Sequence, residues 1–302
     1  MMRVPASSLV LGTAQLGLPY GLANKTGQPD LPTVVEIVRT AWEHGVDEFD
    51  TAQDYGDGER VLGQAFSALG ISAQAKVVSK IHPKLDHCDQ GVMTKALDAS
   101  LMKLGVPHLS GLLLHDEALL DQWDQGVSSI FSGFVRSGRV HGVGVSVYSP
   151  ERACEALNKD GIDMVQLPSN ILDRRFEALG VFELAVKKKK QVYIRSVFLQ
   201  GLILMNPEDL PGHMLFARPV VERVKALAQE LGLTISALAL GYLKAKMPGV
   251  KLVVGAETSE QIILNAVSMD AALTQAQVAM VAKYFDQVDV KVLNPALWEL
   301  EA

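Results

Sequence analysis

Short apolar runs alternate along the chain with stretches in which apolar residues recur at helical spacing. The runs are rich in Val, Ile and Leu and are bounded by turn residues, as in strands buried on both faces of a parallel sheet. Eight runs are predicted to be strands: Leu9–Gly12, Glu48–Thr51, Lys76–Ile81, Ser110–His115, Gly142–Val147, Met164–Leu167, Val192–Val197 and Leu252–Gly255.

The stretches between these runs predict helices with recognisable ends. Ser149 followed by Pro150 predicts a helix start, because serine caps the first backbone amides and proline suits the first helical position. Glycine favours the left-handed conformation that ends a helix. Apolar stripes of helical period are followed by such glycines at Gly45, Gly70, Gly105 and Gly232.

Strict alternation of eight strands with helices predicts an α/β fold, a single (β/α)8 TIM barrel forming one domain over residues 1–302. A doubly wound sheet is the alternative. The only near match to its GxGxxG fingerprint is Gly142-Val143-Gly144, which lacks the third glycine. Barrel enzymes carry their active sites at the C-terminal mouth of the strands, so the candidate chemistry is expected there.

The charge and the cysteine content of the chain indicate which partners and which cellular compartment to expect. A net charge of −6 is a poor electrostatic match to nucleic acid or anionic membranes. Two distant cysteines, Cys88 and Cys154, indicate no disulfide framework. No window approaches the roughly 18 consecutive apolar residues of a membrane span. We therefore expect a cytoplasmic enzyme that acts on a small molecule, without nucleic acid or membrane as partner.

Four polar residues stand at or near predicted strand ends: Asp50, Tyr55, Lys80 and His115. Singly, each has an ordinary structural explanation, as a helix cap, a packed ring, a solvated lysine or a core histidine. Together they compose a general acid. An ammonium beside Tyr55 would lower the pKa of its hydroxyl, and Asp50 would keep that Lys80 ammonium charged. A neutral His115 could orient a carbonyl. None of these side chains supplies a hydride, so a reduction would need a nicotinamide cofactor.

The motifs DTAQDYG, VVSKI, GLLLHD, GVGVS, VQLPSN and VVGAETSEQIILN resemble, in this order and over nearly the whole chain, the aldo-keto reductase superfamily. The resemblance implies a barrel that binds an extended nicotinamide dinucleotide and interconverts a small aldehyde or ketone and its alcohol. It implies Tyr55 as proton donor, Lys80 and Asp50 as its tuning pair, and His115 as the residue that orients the carbonyl.

The resemblance also implies the cofactor contacts. Ser146 and Gln166 match positions that hold the nicotinamide carboxamide, and Arg195 matches the aromatic residue that stacks on its ring. The remaining expected contacts are Gly12, Thr13 and Asp50 near the first two strand ends, Ser196, Leu199 and Gly201 over the pyrophosphate, and Gly255, Thr258, Gln261 and Asn265 at the adenosine end. No metal is expected.

Several positions depart from the family pattern. Val147 replaces a common asparagine, and a cation at Arg195 is hypothesised to favour the reduced over the oxidised cofactor. Gly255 and Gln261 stand where many members hold cations around a 2′-phosphate, and Glu257 adds a negative charge nearby. NADP is expected, with NAD as the alternative. Arg218 and Arg223, in the preceding segment, are candidates to supply a cation for the phosphate.

Two other functions stay open. Lys80 could be the Schiff-base nucleophile of a lyase or aldolase, although pairing with Asp50 would keep it protonated. The chain could instead be a regulatory protein that binds the cofactor and turns over slowly. The loop IHPKLDHCD offers His82, Asp86, His87 and Cys88, but at a spacing that matches no zinc pattern. We interpret it as flanking a substrate pocket that Tyr20 and residues 206–218 complete. The substrate, the reaction direction and the oligomeric state stay open.

Overall fold

The computed structural model of the chain describes residues 8–298. The ends of the predicted domain, residues 1–7 and 299–302, lie outside the described residues. Eight parallel strands form a closed barrel in the order β1 to β8, and β1 pairs with β8 to complete it. The strands are β1 Leu9–Gly12, β2 Glu48–Asp50, β3 Lys76–Ile81, β4 Gly111–Leu114, β5 Val143–Ser146, β6 Met164–Pro168, β7 Gln191–Arg195 and β8 Lys251–Gly255. The prediction of a (β/α)8 barrel is confirmed.

Helices lie between the strands and pack on the outside of the barrel. They are α1 Ala14–Gly17, α2 Leu31–Glu43, α3 Gly58–Leu69, α4 Gln90–Leu104, α5 Val127–Arg136, α6 Pro150–Asn158, α7 Arg175–Ala178, α8 Val181–Lys188, α9 Arg218–Glu230, α10 Ile235–Lys246, α11 Ser259–Ser268, α12 Gln275–Tyr284 and α13 Val290–Leu293. Short 3-10 helices cover Glu117–Gln125, Leu202–Leu204, Pro207–Asp209, Gly212–Ala217 and Pro295–Leu297.

Helix ends follow the chemistry of their residues. Ser149 caps α6, accepting a hydrogen bond from the Arg152 amide, and Pro150 is the first helical residue. Gly70 and Gly105 end α3 and α4 in the left-handed conformation, with φ of 67° and 63°. These two helix stops and this helix start confirm the predictions made from Ser149-Pro150 and from the glycines.

Two hydrophobic layers hold the barrel. A large outer layer lies between the strands and the surrounding helices. A small inner layer fills the barrel axis with Val10, Val78, Leu113, Met164, Tyr193 and Val253. The Tyr193 hydroxyl donates to Glu48 Oε1 at 2.6 Å, and Lys251 Nζ lies 3.0 Å from Glu48 Oε2. The barrel is therefore packed along its axis, which leaves its C-terminal mouth for a site.

Some predicted boundaries were wrong at the C-terminal ends of strands. β7 ends at Arg195, so Ser196 and Val197 belong to the following loop, where Ser196 has a left-handed φ of 59°.

Among residues 8–298, no single helix is long and apolar enough to cross a membrane. The segments Gly212–Glu230 and Ile235–Lys246 reach that length and hydropathy only when joined, and they bend by 83° at their junction.

Candidate active site

A buried ion pair lies at the mouth of the barrel, between neighbouring strands β2 and β3. Lys80 Nζ lies 2.7 Å and 2.9 Å from the two carboxylate oxygens of Asp50, and it also donates to the Thr51 carbonyl at 2.9 Å. Lys80 is 1% exposed and Asp50 is 4% exposed. The three N–H donors of the ammonium are thereby used, so the charge of each partner is compensated inside the protein.

Two further residues hold Asp50 in place. Gln166 Nε2, from β6 across the barrel, donates to Asp50 Oδ2 at 2.7 Å. The backbone carbonyl of Asp50 accepts from both the amide and the hydroxyl of Thr13, each at 2.9 Å. Residues at the ends of β1, β3 and β6 thus converge on Asp50, with Lys80 and Gln166 on its carboxylate and Thr13 on its backbone carbonyl.

Tyr55 lies in the loop after β2, and close backbone contact with α1 fixes that loop. A Cβ atom added at Gly17 would stand 1.9 Å from the Tyr55 carbonyl oxygen, and one added at Gly56 would stand 2.5 Å from the Gly17 carbonyl oxygen. Gly56 also has a left-handed φ of 52°. Glycine is required at both positions, because any side chain there would push the tyrosine loop away from the barrel.

The four predicted catalytic residues meet at this point. Lys80 Nζ lies 5.0 Å from the centroid of the Tyr55 ring, and the Tyr55 and His115 rings meet edge to face with centroids 5.6 Å apart. Among residues 8–298 the Tyr55 hydroxyl has no hydrogen-bond partner, and neither does the buried Nδ1 of His115. Polar atoms are thus left available for a bound molecule.

The charges in the site set the protonation states of these residues. Burial, reinforced by the positive charge of Lys80, lowers the pKa of His115 to about 4, so its imidazole is neutral at pH 7 as expected. Burial lowers the pKa of Lys80, and the Asp50 carboxylate opposes this change. Burial, followed by the charge of Asp50, raises the pKa of Tyr55 above its ordinary value.

The expectation that Tyr55 has a lowered pKa was therefore wrong. Lys80 donates to Asp50 and Thr51, and among the described residues no hydrogen bond joins it to the Tyr55 hydroxyl. The nearby Asp50 carboxylate balances the ammonium and disfavours a second negative charge. Tyr55 consequently keeps its proton at neutral pH, which is the form that can donate.

A cavity of about 190 Å³ opens beside Tyr55 and Asp50. It contains most of the residues predicted to bind the cofactor: Gly12, Thr13, Asp50, Arg195, Ser196, Gly201, Gly255, Gln261 and Asn265. Four of the predicted contacts do not line it. Leu199 is buried, Thr258 caps α11 by accepting from the Gln261 amide, and Ser146 and Gln166 pair in register at the ends of β5 and β6.

Gln166 nevertheless carries a free acceptor. Its Nε2 is engaged by Asp50, whereas its Oε1 is buried with no hydrogen-bond partner in the described part of the chain. A buried amide oxygen without a partner is costly unless a bound group donates to it.

The loop after β7 has an unusual backbone. Leu199, Gln200 and Gly201 take consecutive left-handed φ values of 49°, 54° and 86°. The Gln200 carbonyl accepts from the amides of Leu22 and Ala23, at 3.0 Å and 3.4 Å. The loops after β1 and β7 are thus joined at the edge of the cavity, and non-glycine residues in this conformation store strain that often accompanies a binding site.

The cations expected beside a 2′-phosphate are not in this cavity. Arg218 donates to the Pro207 carbonyl at 3.1 Å, and Arg223 donates to the Tyr284 carbonyl and packs against two aromatic rings. Glu257, in contrast, does line the cavity, and burial raises the pKa of its carboxyl. Neither candidate, Arg218 or Arg223, lines the cavity, because both side chains are held by contacts elsewhere.

The loop IHPKLDHCD does not assemble its polar side chains into one cluster. His82 Nε2 lies 3.1 Å from Asp54 Oδ1, His87 is buried, and Cys88 is exposed with its Sγ 3.8 Å from Gln122 Oε1. Within residues 8–298, no group of three His, Cys, Asp or Glu side chains is placed to hold a metal ion.

Several cavity residues were not predicted. Gln15 lies against Gly255, where an added Cβ would stand 2.2 Å from Gln15 Nε2. Gln15 stands three residues after the end of β1. A polar residue at or near a strand end is the signal that identified Asp50, and the same signal could have identified Gln15. Gln200 and Ser236 also line the cavity, but no sequence pattern distinguishes them from ordinary loop and helix residues.

Comparison with known proteins agrees with this geometry. The model of the Aldo/keto reductase family matches residues 8–285. The chain belongs to that family. Family membership confirms the predicted resemblance and the prediction of an oxidoreductase of this class.

Individual relatives are distant. The chain is 24% identical over 304 residues to L-glyceraldehyde 3-phosphate reductase of Escherichia coli O157:H7, covering 87% of this chain and 86% of the relative. It is 23% identical over 208 residues to Aldo-keto reductase YhdN of Bacillus subtilis (strain 168), covering 66% of this chain and 61% of that relative. The crystal structure of an aldo/keto reductase from Klebsiella pneumoniae in complex with NADP and acetate superposes with a TM-score of 0.72 at 24% identity, covering 93% and 92% of the two chains.

Proposed function

We propose that this aldo-keto reductase uses NADPH to interconvert a small aldehyde or ketone and its alcohol, with Tyr55 as the general acid and base. The observation that carries the proposal is the arrangement of Tyr55 above the Asp50–Lys80 ion pair, with the neutral His115 edge-on to its ring. Tyr55 lines the cavity, and the neutral imidazole of His115 contacts the Tyr55 ring, which supports this proposal.

In the proposed reduction, the nicotinamide supplies a hydride to the carbonyl carbon when it is bound. Tyr55 gives its hydroxyl proton to the carbonyl oxygen, which becomes the alcohol oxygen. His115, neutral and partly buried, offers an N–H to the same oxygen and fixes its angle. Lys80 lies 5.0 Å from the Tyr55 ring and neutralises Asp50, so that the Asp50 charge opposes the resulting phenolate less until a proton returns from water at the mouth.

The residues present suit a dinucleotide. The unpartnered Oε1 of Gln166 can accept from the carboxamide of a nicotinamide, and the cavity continues along the loop after β7 to Gln261 and Asn265. NADPH is supported by the related Klebsiella pneumoniae enzyme, whose structure holds NADP. NADH is a second candidate, because Glu257 lines the cavity and a carboxylate suits a free ribose hydroxyl.

The ion pair argues against a Schiff-base mechanism. A nucleophilic amine must be neutral and accessible, whereas Lys80 is 1% exposed and directs all three donors to Asp50 and Thr51. The complete set of four polar residues likewise argues against a purely regulatory protein, because a protein that only binds cofactor has no need of a proton donor.

The test follows the loss of NADPH and NADH absorbance with a panel of aldehydes and ketones. Turnover is expected in the wild type, and Tyr55→Phe should lower kcat by about 10²- to 10⁴-fold, because the ring stays and only the donated proton is lost. Affinity for each cofactor should be unchanged in the variant, measured by fluorescence titration. Unimpaired turnover in Tyr55→Phe would refute the proton-donor role, and a lysine adduct trapped by borohydride would restore the Schiff-base alternative.

A further inference from the structure

The cavity beside Tyr55 contains one arginine whose charge is not compensated. Arg195 ends β7 and is half-buried. Its polar contacts are long, at 3.5 Å from Nη1 to Ser196 Oγ and 3.4 Å from Nη2 to the Val147 carbonyl. Within residues 8–298, no carboxylate lies within 4 Å of its guanidinium. A half-buried guanidinium with only long contacts keeps N–H donors that an anion entering the cavity can bind.

Neither acid in the cavity can serve as that anion. Asp50 is already bound on both oxygens by Lys80 and Gln166. Glu257 also lines the cavity, but among the described residues it forms no ion pair, with Arg195 or with any other cation. The anion must therefore come from a molecule that enters the cavity.

The orientation of the guanidinium is fixed. Its Cζ lies 4.2 Å from the centroid of the Tyr148 ring, and Glu117 anchors the Tyr148 backbone by accepting from its amide at 2.7 Å. Stacking on an aromatic face leaves the N–H edges of an arginine free for bidentate contact with a carboxylate or phosphate. Tyr148, against which the guanidinium stacks, is 56% exposed, and Tyr20, which lines the cavity, is 39% exposed, so an anion would approach Arg195 from the solvent side.

Arg195 also lies within electrostatic reach of the catalytic residues. Burial is the main cause of the pKa changes at Tyr55, His115 and Lys80, and the charge of Arg195 contributes to each of them. A group bound to Arg195 would thus be a short distance from a carbonyl held by Tyr55 and His115.

We infer that Arg195 binds an anionic group of the substrate, so that the preferred substrates are short aldehydes or ketones that carry a carboxylate or a phosphate. The inference rests on the proposed carbonyl reduction and names its substrate class. The competing occupant is a phosphate of the cofactor.

The test compares matched substrates at saturating NADPH: succinic semialdehyde against butanal, and glyceraldehyde 3-phosphate against glyceraldehyde. In the wild type, kcat/KM is expected to be about 10- to 100-fold higher for the anionic member of at least one pair, as for a charged hydrogen-bonded contact. The pair with the larger ratio tells carboxylate from phosphate. In Arg195→Gln the ratio of kcat/KM between the anionic and the uncharged substrate should fall to about one, even if kcat/KM falls for both substrates. Arg195→Lys should keep part of this ratio.

A matched control separates this contact from a general change of charge. Arg39 lies exposed on α2 and pairs with Glu36, so Arg39→Gln makes the same change in net charge and should leave the substrate ratio unchanged. The affinity of Arg195→Gln for NADPH, from fluorescence titration, should stay within about threefold of the wild type, which corresponds to about 0.7 kcal/mol.

Each other outcome has a definite meaning. Equal kcat/KM for both members of both pairs would overturn the inference while leaving carbonyl reduction intact. A tenfold weaker NADPH affinity in Arg195→Gln with an unchanged substrate ratio would assign Arg195 to the cofactor instead. If no aldehyde turns over, the proposed function fails. In that case, calorimetric titration with succinate and inorganic phosphate tests the anion site by itself. Binding by the wild type that is lost in Arg195→Gln supports the site, whereas binding that Arg195→Gln retains overturns it.

Discussion

Lys80 on β3 donates hydrogen bonds from its buried Nζ to both carboxylate oxygens of Asp50 on β2, at 2.7 Å to Oδ1 and 2.9 Å to Oδ2. The same strand carries a second ion pair at its other end, where Lys76 Nζ lies 2.7 Å from Asp47 Oδ2. The two pairs have the same residue types and the same contact distance. They differ in burial, because the Lys76 and Asp47 side chains are 43% and 28% exposed.

Lys80→Met should lower the free energy of unfolding by about 3–5 kcal/mol, because it leaves the Asp50 carboxylate buried without its cation. Lys76→Met makes the same replacement at the exposed pair and should cost less than about 1 kcal/mol. Urea denaturation of the wild type and both variants measures the difference. Similar losses in the two variants would show that burial does not set the strength of the Asp50–Lys80 contact.

Gly17→Ala should disable the enzyme without touching any polar residue of the site. The new Cβ would stand 1.9 Å from the Tyr55 carbonyl oxygen, so the tyrosine loop must move. A displacement of about 1 Å in a catalytic group can cost about 10²-fold in rate, which is the expected fall in kcat.

The control for this variant is Gly133→Ala. Gly133 lies inside α5, and the nearest atom to its added Cβ is 3.9 Å away. Alanine there should leave kcat unchanged and raise helix stability slightly. Wild-type kcat in Gly17→Ala, with the fold verified by circular dichroism, would mean that the tyrosine loop is not held by its contact with α1.

The stability of the protein should fall between pH 6.5 and pH 4 partly because of His115. Burial and Lys80 lower the pKa of His115 from 6.5 to about 4 in the folded state. Over this interval the unfolded chain binds the proton and the folded chain does not, so the free energy of unfolding decreases as the pH falls.

His115→Gln removes this titration and should lose less stability than the wild type between pH 7 and pH 4.5. The difference should be roughly 1–2 kcal/mol, since His115 is only partly buried. Urea titrations at the two pH values measure it, and comparison with the variant cancels the contributions of the other histidines. Parallel losses in the two proteins would place the pKa of His115 near its ordinary value.

The eight strands could be predicted because their apolar runs are short, continuous and separated by glycine-terminated helices. Asp50, Tyr55, Lys80 and His115 could be predicted as neighbours because all parallel strands of a barrel end at one mouth. The position of a strand end therefore fixes the position of a side chain without knowledge of any contact.

What lies beyond the strand ends could not be predicted in this way. Arg218 and Arg223 stand in the right part of the chain for a phosphate, but hydrogen bonds to the Pro207 and Tyr284 carbonyls take them elsewhere. The stacking of Arg195 on Tyr148 joins the end of β7 to the loop after β5, and the two residues are 47 positions apart in sequence (195 − 148). The direction of the Tyr55 pKa change also could not be predicted, because it depends first on how deeply Tyr55 is buried and then on the charge of Asp50.

A polar network lies at the N-terminal end of the barrel, opposite the mouth. It consists of Glu48, Tyr193 and Lys251. This network and the apolar residues along the axis fill the barrel interior below Asp50 and Lys80. If Tyr55 is the proton donor, the protons that it exchanges with water are therefore expected to pass through the same opening as the substrate.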